Sequence, residues 1–169
     1  MAPLISLAAL TGPQELEPAL RLPRPIETAD LAALTDLYLH AYSHTTSRPD
    51  TRKQADKFSA IFEGAHGTPI PQASLLTSDT EGRVTAAIVT TDRVLGNDGA
   101  RTAFITELFT HPDHRRQGLA EDLLRHAMQA LHGLGHRTLA VTVDSTNAAA
   151  IALYLSRDFS RLTHHNGNT

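Results

Sequence analysis

The run Arg115-Arg116-Gln117-Gly118-Leu119-Ala120 is the stretch of this chain best suited to holding a ligand. Two guanidinium groups bring positive charge and fork-shaped donors that match phosphate oxygens. Gly118 lets an anion approach the backbone closely, and Ala120 is nearly as small. Past the turn the apolar period becomes helical. Leu119, Leu123, Ala127, Ala130, Leu131 and Leu134 fall on one side of a helix. The first N–H groups of a helix have no intrahelical partner and carry the positive end of its dipole. A basic, glycine-containing turn at a helix start is thus an anion site by construction, and a pyrophosphate suits its shape. A solvated surface turn is the plainer reading of the same residues. The turn has neither the Gly-Lys-Ser/Thr of a P-loop nor the three glycines of a dinucleotide turn.

The elements around the turn follow from composition and period. Phe104–Phe109 is apolar and β-prone, and Pro112 ends it because proline supplies no ladder N–H. Arg101–Phe109 is therefore the third strand of a meander. Ala73–Thr77 and Arg83–Thr91, joined through Gly82, are the first two, and Asn97-Asp98-Gly99 turns the chain between the second and third. After the helix, Thr138–Val143 reads as a buried strand beside the third strand, reached by a right-handed crossover. A short helix follows over Asn147–Arg157, then a short strand over Ser160–Thr163. Upstream, helices are expected over Asp30–Tyr42, with Asp30 as its cap, and over Thr51–Phe62. Leu20–Leu22 reads as a short first strand. Residues 1–19 read as an N-terminal extension with a helical turn over residues 3–10. Residues 20–163 form a single domain, and 164–169 a polar tail. The order β-α-α-β-β-β-α-β-α-β makes an α/β (α+β) fold with a mixed, mostly antiparallel central sheet and helices on both faces.

Two motifs resemble those of the GCN5-related N-acetyltransferase (GNAT) family. Arg115-x-x-Gly118-x-Ala120, directly after Leu108-Phe-Thr-His-Pro112, is similar to that family's acetyl-CoA loop. Asn147-Ala-Ala-Ala-Ile-Ala-Leu-Tyr154, followed by Phe159, is similar to its second block. The likeness covers residues 20–160 and is sharpest over 104–159. It implies acetyl transfer from acetyl-CoA to a primary amine of a small molecule or peptide. The backbone of Leu108, Phe109 and Thr110 would bond the pantetheine arm like an added strand. The N–H groups of Arg116, Gln117, Gly118, Leu119 and Ala120 would hold the pyrophosphate, with the Arg115 and Arg116 side chains assisting. Asn147 would bond the arm, with Ala150 near it, and the Tyr154 hydroxyl would act as general acid; a packed tyrosine is its plainer role. Glu107 is the leading base, acting directly or through water. It reads equally as an ordinary strand carboxylate or one that attracts a cationic acceptor. His40, His44 and His111 are weaker bases, and His40, Tyr42, His44 and Thr45 are candidate pocket-lining residues.

The chain departs from the family pattern in three places. Thr110 stands where valine is usual, and Asp158 stands where glycine precedes Phe159. Residues 160–169 are too few for the strand that normally closes the acceptor side. That strand is expected to be missing, or replaced by the N-terminal extension or by a partner chain, which makes a homodimer an expectation.

Composition narrows the alternatives. In 169 residues, apolar content is 41% and charged content 20%, the balance of a globular domain. A net charge of −3 does not suit a general nucleic-acid binder. The absence of cysteine excludes thiol catalysis, disulfides and cysteine–zinc sites. The 10 histidines are scattered without metal-ligand spacing, so no metal is expected. No apolar run reaches transmembrane length, and a cytoplasmic protein without membrane or nucleic-acid partners is expected. Two other function classes remain: a non-catalytic CoA-binding or regulatory domain of the same fold, and a structural protein with a coincidental loop.

Overall fold

Apolar periodicity places most elements correctly in the computed structural model, which describes residues 3–14, 22–41, 51–95 and 100–162. Strand β1 is Leu4–Leu10 and β2 is Arg24–Pro25; helices α1 and α2 are Leu31–Ala41 and Thr51–Phe62. Strands β3, β4, β5 and β6 are Thr68–Pro69, Leu75–Ser78, Val84–Leu95 and Ala100–Thr110. Helix α3 (Leu119–Gly133), strand β7 (Thr138–Asp144), helix α4 (Ala148–Leu155) and strand β8 (Ser160–Arg161) complete the chain. The strands make one mixed sheet in the order β2-β4-β5-β6-β7-β1-β8, with β3 on β5 beyond β4. Among the described strands only β6 and β7 pair in parallel, as a strand–helix–strand crossover requires.

The two faces of the sheet carry separate cores. Leu123, Leu124, Ala127, Met128 and Leu131 of α3 pack with Ile88, Ala103, Ile105, Leu139 and Val141 on one face. Leu34 and Leu37 of α1 and Phe58 and Ile61 of α2 pack with Leu76, Ala87, Val89 and Phe109 on the other. Alternate residues of β5 thus divide between the faces, the period-two signature of a strand covered on both sides.

Three expectations are corrected. The helical turn over residues 3–10 is instead strand β1, which pairs antiparallel with β7 along its whole length, from Leu4↔Asp144 to Leu10↔Thr138. It pairs with β8 on its other side, so N-terminal residues fill the place beside the crossover strand. Asp30 does not cap α1. Glu27 does, through a turn of 3-10 helix over Thr28–Asp30, and Asp30 supplies the reciprocal half of a capping box. Arg24 holds the same Asp30 carboxylate in a two-pronged pair at 2.7 and 2.8 Å. Leu76 and its neighbours begin β4 at Leu75, because Pro71–Ala73 is a 3-10 turn. The Asn97-Asp98-Gly99 turn, residues 20 and 21, Tyr42, His44, Thr45 and the polar tail lie outside the described residues.

Helix α4 ends in a Schellman arrangement. The Phe159 N–H donates to the Tyr154 carbonyl at 3.1 Å and the Asp158 N–H to the Leu155 carbonyl at 3.3 Å. The apolar contact that accompanies this motif is the Tyr154–Phe159 ring pair, 5.1 Å between centroids. Its geometry needs a left-handed residue, and Asp158 takes that role at φ 66°. An L side chain there costs about 1–2 kcal/mol, less for aspartate than for most residues. Asp158→Gly is expected to raise stability by about 0.5–1 kcal/mol after the extra chain entropy of glycine. The check is the urea midpoint, and a lower midpoint means the left-handed backbone carries no such cost.

Candidate active site

The candidate site begins with a fault in the sheet. Val89 pairs with Glu107 but Thr90 pairs with Ile105, so Thr106 is an extra residue in β6. Before the bulge, Ala103 and Ile105 point to the α3 face; after it, Leu108 does. Thr106 and Glu107 therefore both turn to the α1/α2 face. Thr106 meets Thr91 and Arg93 of β5, and Glu107 meets Lys57 of α2. The apolar spacing 103, 105, 108 is the sequence signal for this bulge.

Beyond the bulge β6 leaves β7. Their parallel pairing covers only Ala103–Ile105, while β6 stays paired with β5 as far as Ala86↔Thr110. The His111 N–H donates to the Thr85 carbonyl at 2.8 Å. By antiparallel alternation Phe109 also faces β5, and the N–H and C=O of Leu108 and Thr110 face the gap toward β7. Of the three backbone positions expected to hold an arm, two point into this gap and Phe109 does not. The Phe109 side chain packs in the α1/α2 core.

The gap leads to the anion turn. Pro112–His114 forms a 3-10 turn, capped by His111, whose Nδ1 accepts from the Asp113 N–H at 3.1 Å. His111 also stacks on His40 at 5.4 Å, so these two histidines belong to the turn and to the end of α1. Arg116 and Gly118 then adopt left-handed backbone, φ 67° and 76°. Alternating hands of this kind turn successive N–H groups inward, as in an anion-binding nest. Among the described residues no acceptor meets the backbone N–H of Arg116, Gln117 or Gly118. Those of Leu119, Ala120 and Glu121 open α3 and have no intrahelical partner. A Cβ at Gly118 would have no protein atom within 4 Å. Glycine is needed there for its φ, and the space beside it is open. Glu121 and Asp122 would repel an anion at this helix start, but Arg125 pairs with both, and Arg157 with Glu121. Arg115 is partly diverted from the expected role. Its Nη2 donates to the Ala41 carbonyl at 2.7 Å, tying the turn to the end of α1. Arg116 and Gln117 stay exposed.

Asn147 is the cap of α4, its side-chain oxygen accepting from the Ala150 N–H at 3.1 Å. Its amide N–H groups remain as donors to a ligand. Tyr154 is buried in the α3-side core, with Val141, Val143 and Phe159. Donors in the turn, the open edge of β6 and the Asn147 amide at the start of α4 suit the phosphate and amide acceptors of a CoA thioester in donor type.

Across the sheet, sequence reasoning missed the partner of Glu107. The carboxylate forms an ion pair with Lys57 Nζ, which also donates to the Tyr38 hydroxyl at 3.1 Å. Burial pushes the Glu107 carboxyl up from the ordinary carboxylate range, against the pull of Lys57 and His66. Burial alone would lower Lys57, but Glu107 and Tyr38 outweigh it and Lys57 is raised. Tyr38 stands edge-on to Phe58 and Phe109 at 5.7 and 5.6 Å, fixing this corner. Lys57 precedes Phe58 in an amphipathic helix, and nothing in that pattern separates it from a solvated lysine.

Among the described residues no group of three metal-ligating side chains occurs, and no helix is long and apolar enough to cross a membrane.

Known proteins resemble this chain in sequence and fold. The L-methionine sulfoximine/L-methionine sulfone acetyltransferase of Salmonella typhimurium is 30% identical over 135 residues, 79% of this chain and 77% of that protein. The ribosomal protein bS18-alanine N-acetyltransferase of Escherichia coli is 43% identical over 61 residues, 36% of this chain and only 41% of its own length. A crystal structure of the Escherichia coli ribosomal-protein-S18-alanine N-acetyltransferase superposes with a TM-score of 0.64 at 26% identity, covering 85% of this chain and 80% of that one. The Salmonella typhimurium protein yncA, solved with its cofactor acetyl-CoA, gives a TM-score of 0.62 at 25% identity over 82% of this chain and 79% of its own. The description of the acetyltransferase (GNAT) family matches residues 31–159. That span takes in the bulged strand, the anion turn and the capped helix α4, and the chain belongs to the acetyltransferase (GNAT) family.

Proposed function

We propose that the protein transfers the acetyl group of acetyl-CoA to a primary amine of a small molecule or peptide, by direct attack in a ternary complex. The observation that carries this reading is the opening of β6 from β7 beyond Ile105, beside a turn whose N–H groups meet no acceptor among the described residues. The N–H groups of Arg116–Ala120 hold the diphosphate, with the Arg116 guanidinium as counter-charge. The backbone of Leu108 and Thr110 and the Asn147 amide hold the pantetheine arm. Acetyl-CoA, when bound, supplies the activated thioester. Glu107, on the other face of the same strand, accepts the proton of the attacking amine directly or through water. Its raised pKa makes the carboxylate a stronger proton acceptor than an ordinary one. The Tyr154 hydroxyl holds a proton for the departing sulfur, and the site positions both reactants.

The Lys57–Glu107 pair favours a second reading, a CoA-binding domain without turnover, because the carboxylate already has a cation beside it. Calorimetric titration with acetyl-CoA, followed by thiol release with a panel of primary amines, separates the two. Saturable one-site binding with amine-dependent release is expected. Binding without release by any amine selects the second reading, and no binding removes both. Tyr154→Phe keeps the ring that packs on Phe159 and deletes only the hydroxyl. Turnover is expected to fall on the order of 100-fold with acetyl-CoA affinity retained. Unchanged turnover takes Tyr154 out of the acid role.

A further inference from the structure

Beyond the end of α2 a groove of about 410 Å³ opens. Its walls are the Gly64–Thr68 loop and the Asp92–Val94 end of β5, with Arg101 of β6. Arg93 is its most constrained polar group. Its Nε donates to the His66 carbonyl at 2.8 Å and to Thr91 Oγ1 at 3.2 Å, and its Nη2 to Thr106 Oγ1 at 3.2 Å. Its guanidinium lies 4.3 Å over the Phe104 ring. Gly67 lets the loop lie this close. A Cβ there would come within 2.6 Å of the Asp92 carbonyl and 2.9 Å of Arg93 Cγ.

These contacts fix the guanidinium without neutralising it. They occupy its Nε and Nη2 side, leaving Nη1 among its five donors. No Asp or Glu among the described residues pairs with it. Asp92 pairs with Arg101 at 3.3 Å, and strand alternation turns its side chain to the opposite face of β5 from Arg93. Burial holds the Arg93 pKa below the usual arginine range. An anion entering the groove relieves that burial. Arg93 is bonded to Thr106, the neighbour of Glu107, and the bulge puts both residues on the α1/α2 face. An acceptor that places an anion on Arg93 can therefore extend toward Glu107 on the same face.

We infer that the acceptor of the proposed acetyl transfer carries a carboxylate close to its amine, as a free amino acid does, and that Arg93 is the residue that selects it. The inference rests on the acetyltransferase reading above. It favours an amino-acid acceptor over the N-terminus of a protein, whose carboxyl carbon is already in an amide.

The test compares free L-amino acids with their C-terminal amides, across polar and apolar side chains. Binding to the CoA-saturated protein is read by saturation-transfer NMR, and acetylation by kcat/KM. Wild-type protein is expected to bind and acetylate at least one free amino acid about 10- to 100-fold better than its amide. In Arg93→Gln that ratio is expected to fall to within a few-fold of one, with Arg93→Lys intermediate. Amides bound or acetylated as well as the acids, or no free amino acid bound at all, overturns the inference. Calorimetry with acetyl-CoA on the same preparation shows whether the acetyltransferase reading has failed as well.

Discussion

Gly118→Asp abolishes measurable CoA binding, a loss on the order of 100-fold or more, in a protein that remains folded. Three effects act together at this position. The backbone is left-handed at φ 76°, which an L side chain tolerates at a cost of about 1–2 kcal/mol, though aspartate tolerates it better than most. No protein atom lies within 4 Å of the new Cβ, so the added carboxylate occupies ligand space rather than clashing with the core. Its charge opposes a diphosphate among unpaired N–H groups, where each charge-assisted bond is worth about 1.5–3 kcal/mol. Gly118→Ala isolates the backbone effect and should cost about 10-fold or less. Calorimetry reads the affinity, and a thermal melt within a few degrees of wild type shows that the fold is intact. Normal affinity in folded Gly118→Asp removes the turn from the cofactor site.

Glu107→Gln has the second largest expected effect, a fall in kcat of about 100- to 1,000-fold with acetyl-CoA affinity unchanged. Glutamine keeps the size of the side chain and one acceptor for Lys57, but it cannot take a proton. The pH dependence carries the sign. A base works deprotonated, and burial raises the Glu107 pKa. Activity in kcat should therefore fall, as pH drops, at a higher pH than an ordinary carboxylate would give. Lys57→Met removes the group that pulls the pKa down, so the fall should move to still higher pH. An acidic limb that persists unchanged in Glu107→Gln assigns proton acceptance to another group.

Where chemistry depends on neighbours in sequence, the residues alone were informative. Gly118 marked a tight turn opening a helix, and the Asp144–Asn147 turn was legible as holding the cap of a short helix. Asp158 could be marked as a left-handed position from its place before Phe159. Where a contact joins distant segments, the signal was absent. Lys57 and Glu107 lie on a helix and a strand with nothing in common but their meeting. The bulge was written in the spacing of Ala103, Ile105 and Leu108, yet it became useful only once both faces of the sheet had assigned cores. Strand β1 is the clearest case. LISLAAL is short, apolar and rich in good helix formers, and period alone does not separate a strand from a helix in so brief a run. Pairing with β7 overrode local propensity.

The position of that strand also constrains how the chain is assembled at the ribosome. Residues 4–10 emerge long before either neighbour, since their partners are residues 138–144 and 160–161. Until residue 138 emerges this apolar ribbon has both hydrogen-bonding edges open, and closing its loop brings late, non-local contacts. The meander of β4, β5 and β6 can form before the partners of β1 exist, whereas completion of the sheet awaits emergence of residues 160–161. Until then β1 is the part of the nascent chain that most needs protection from pairing with other molecules.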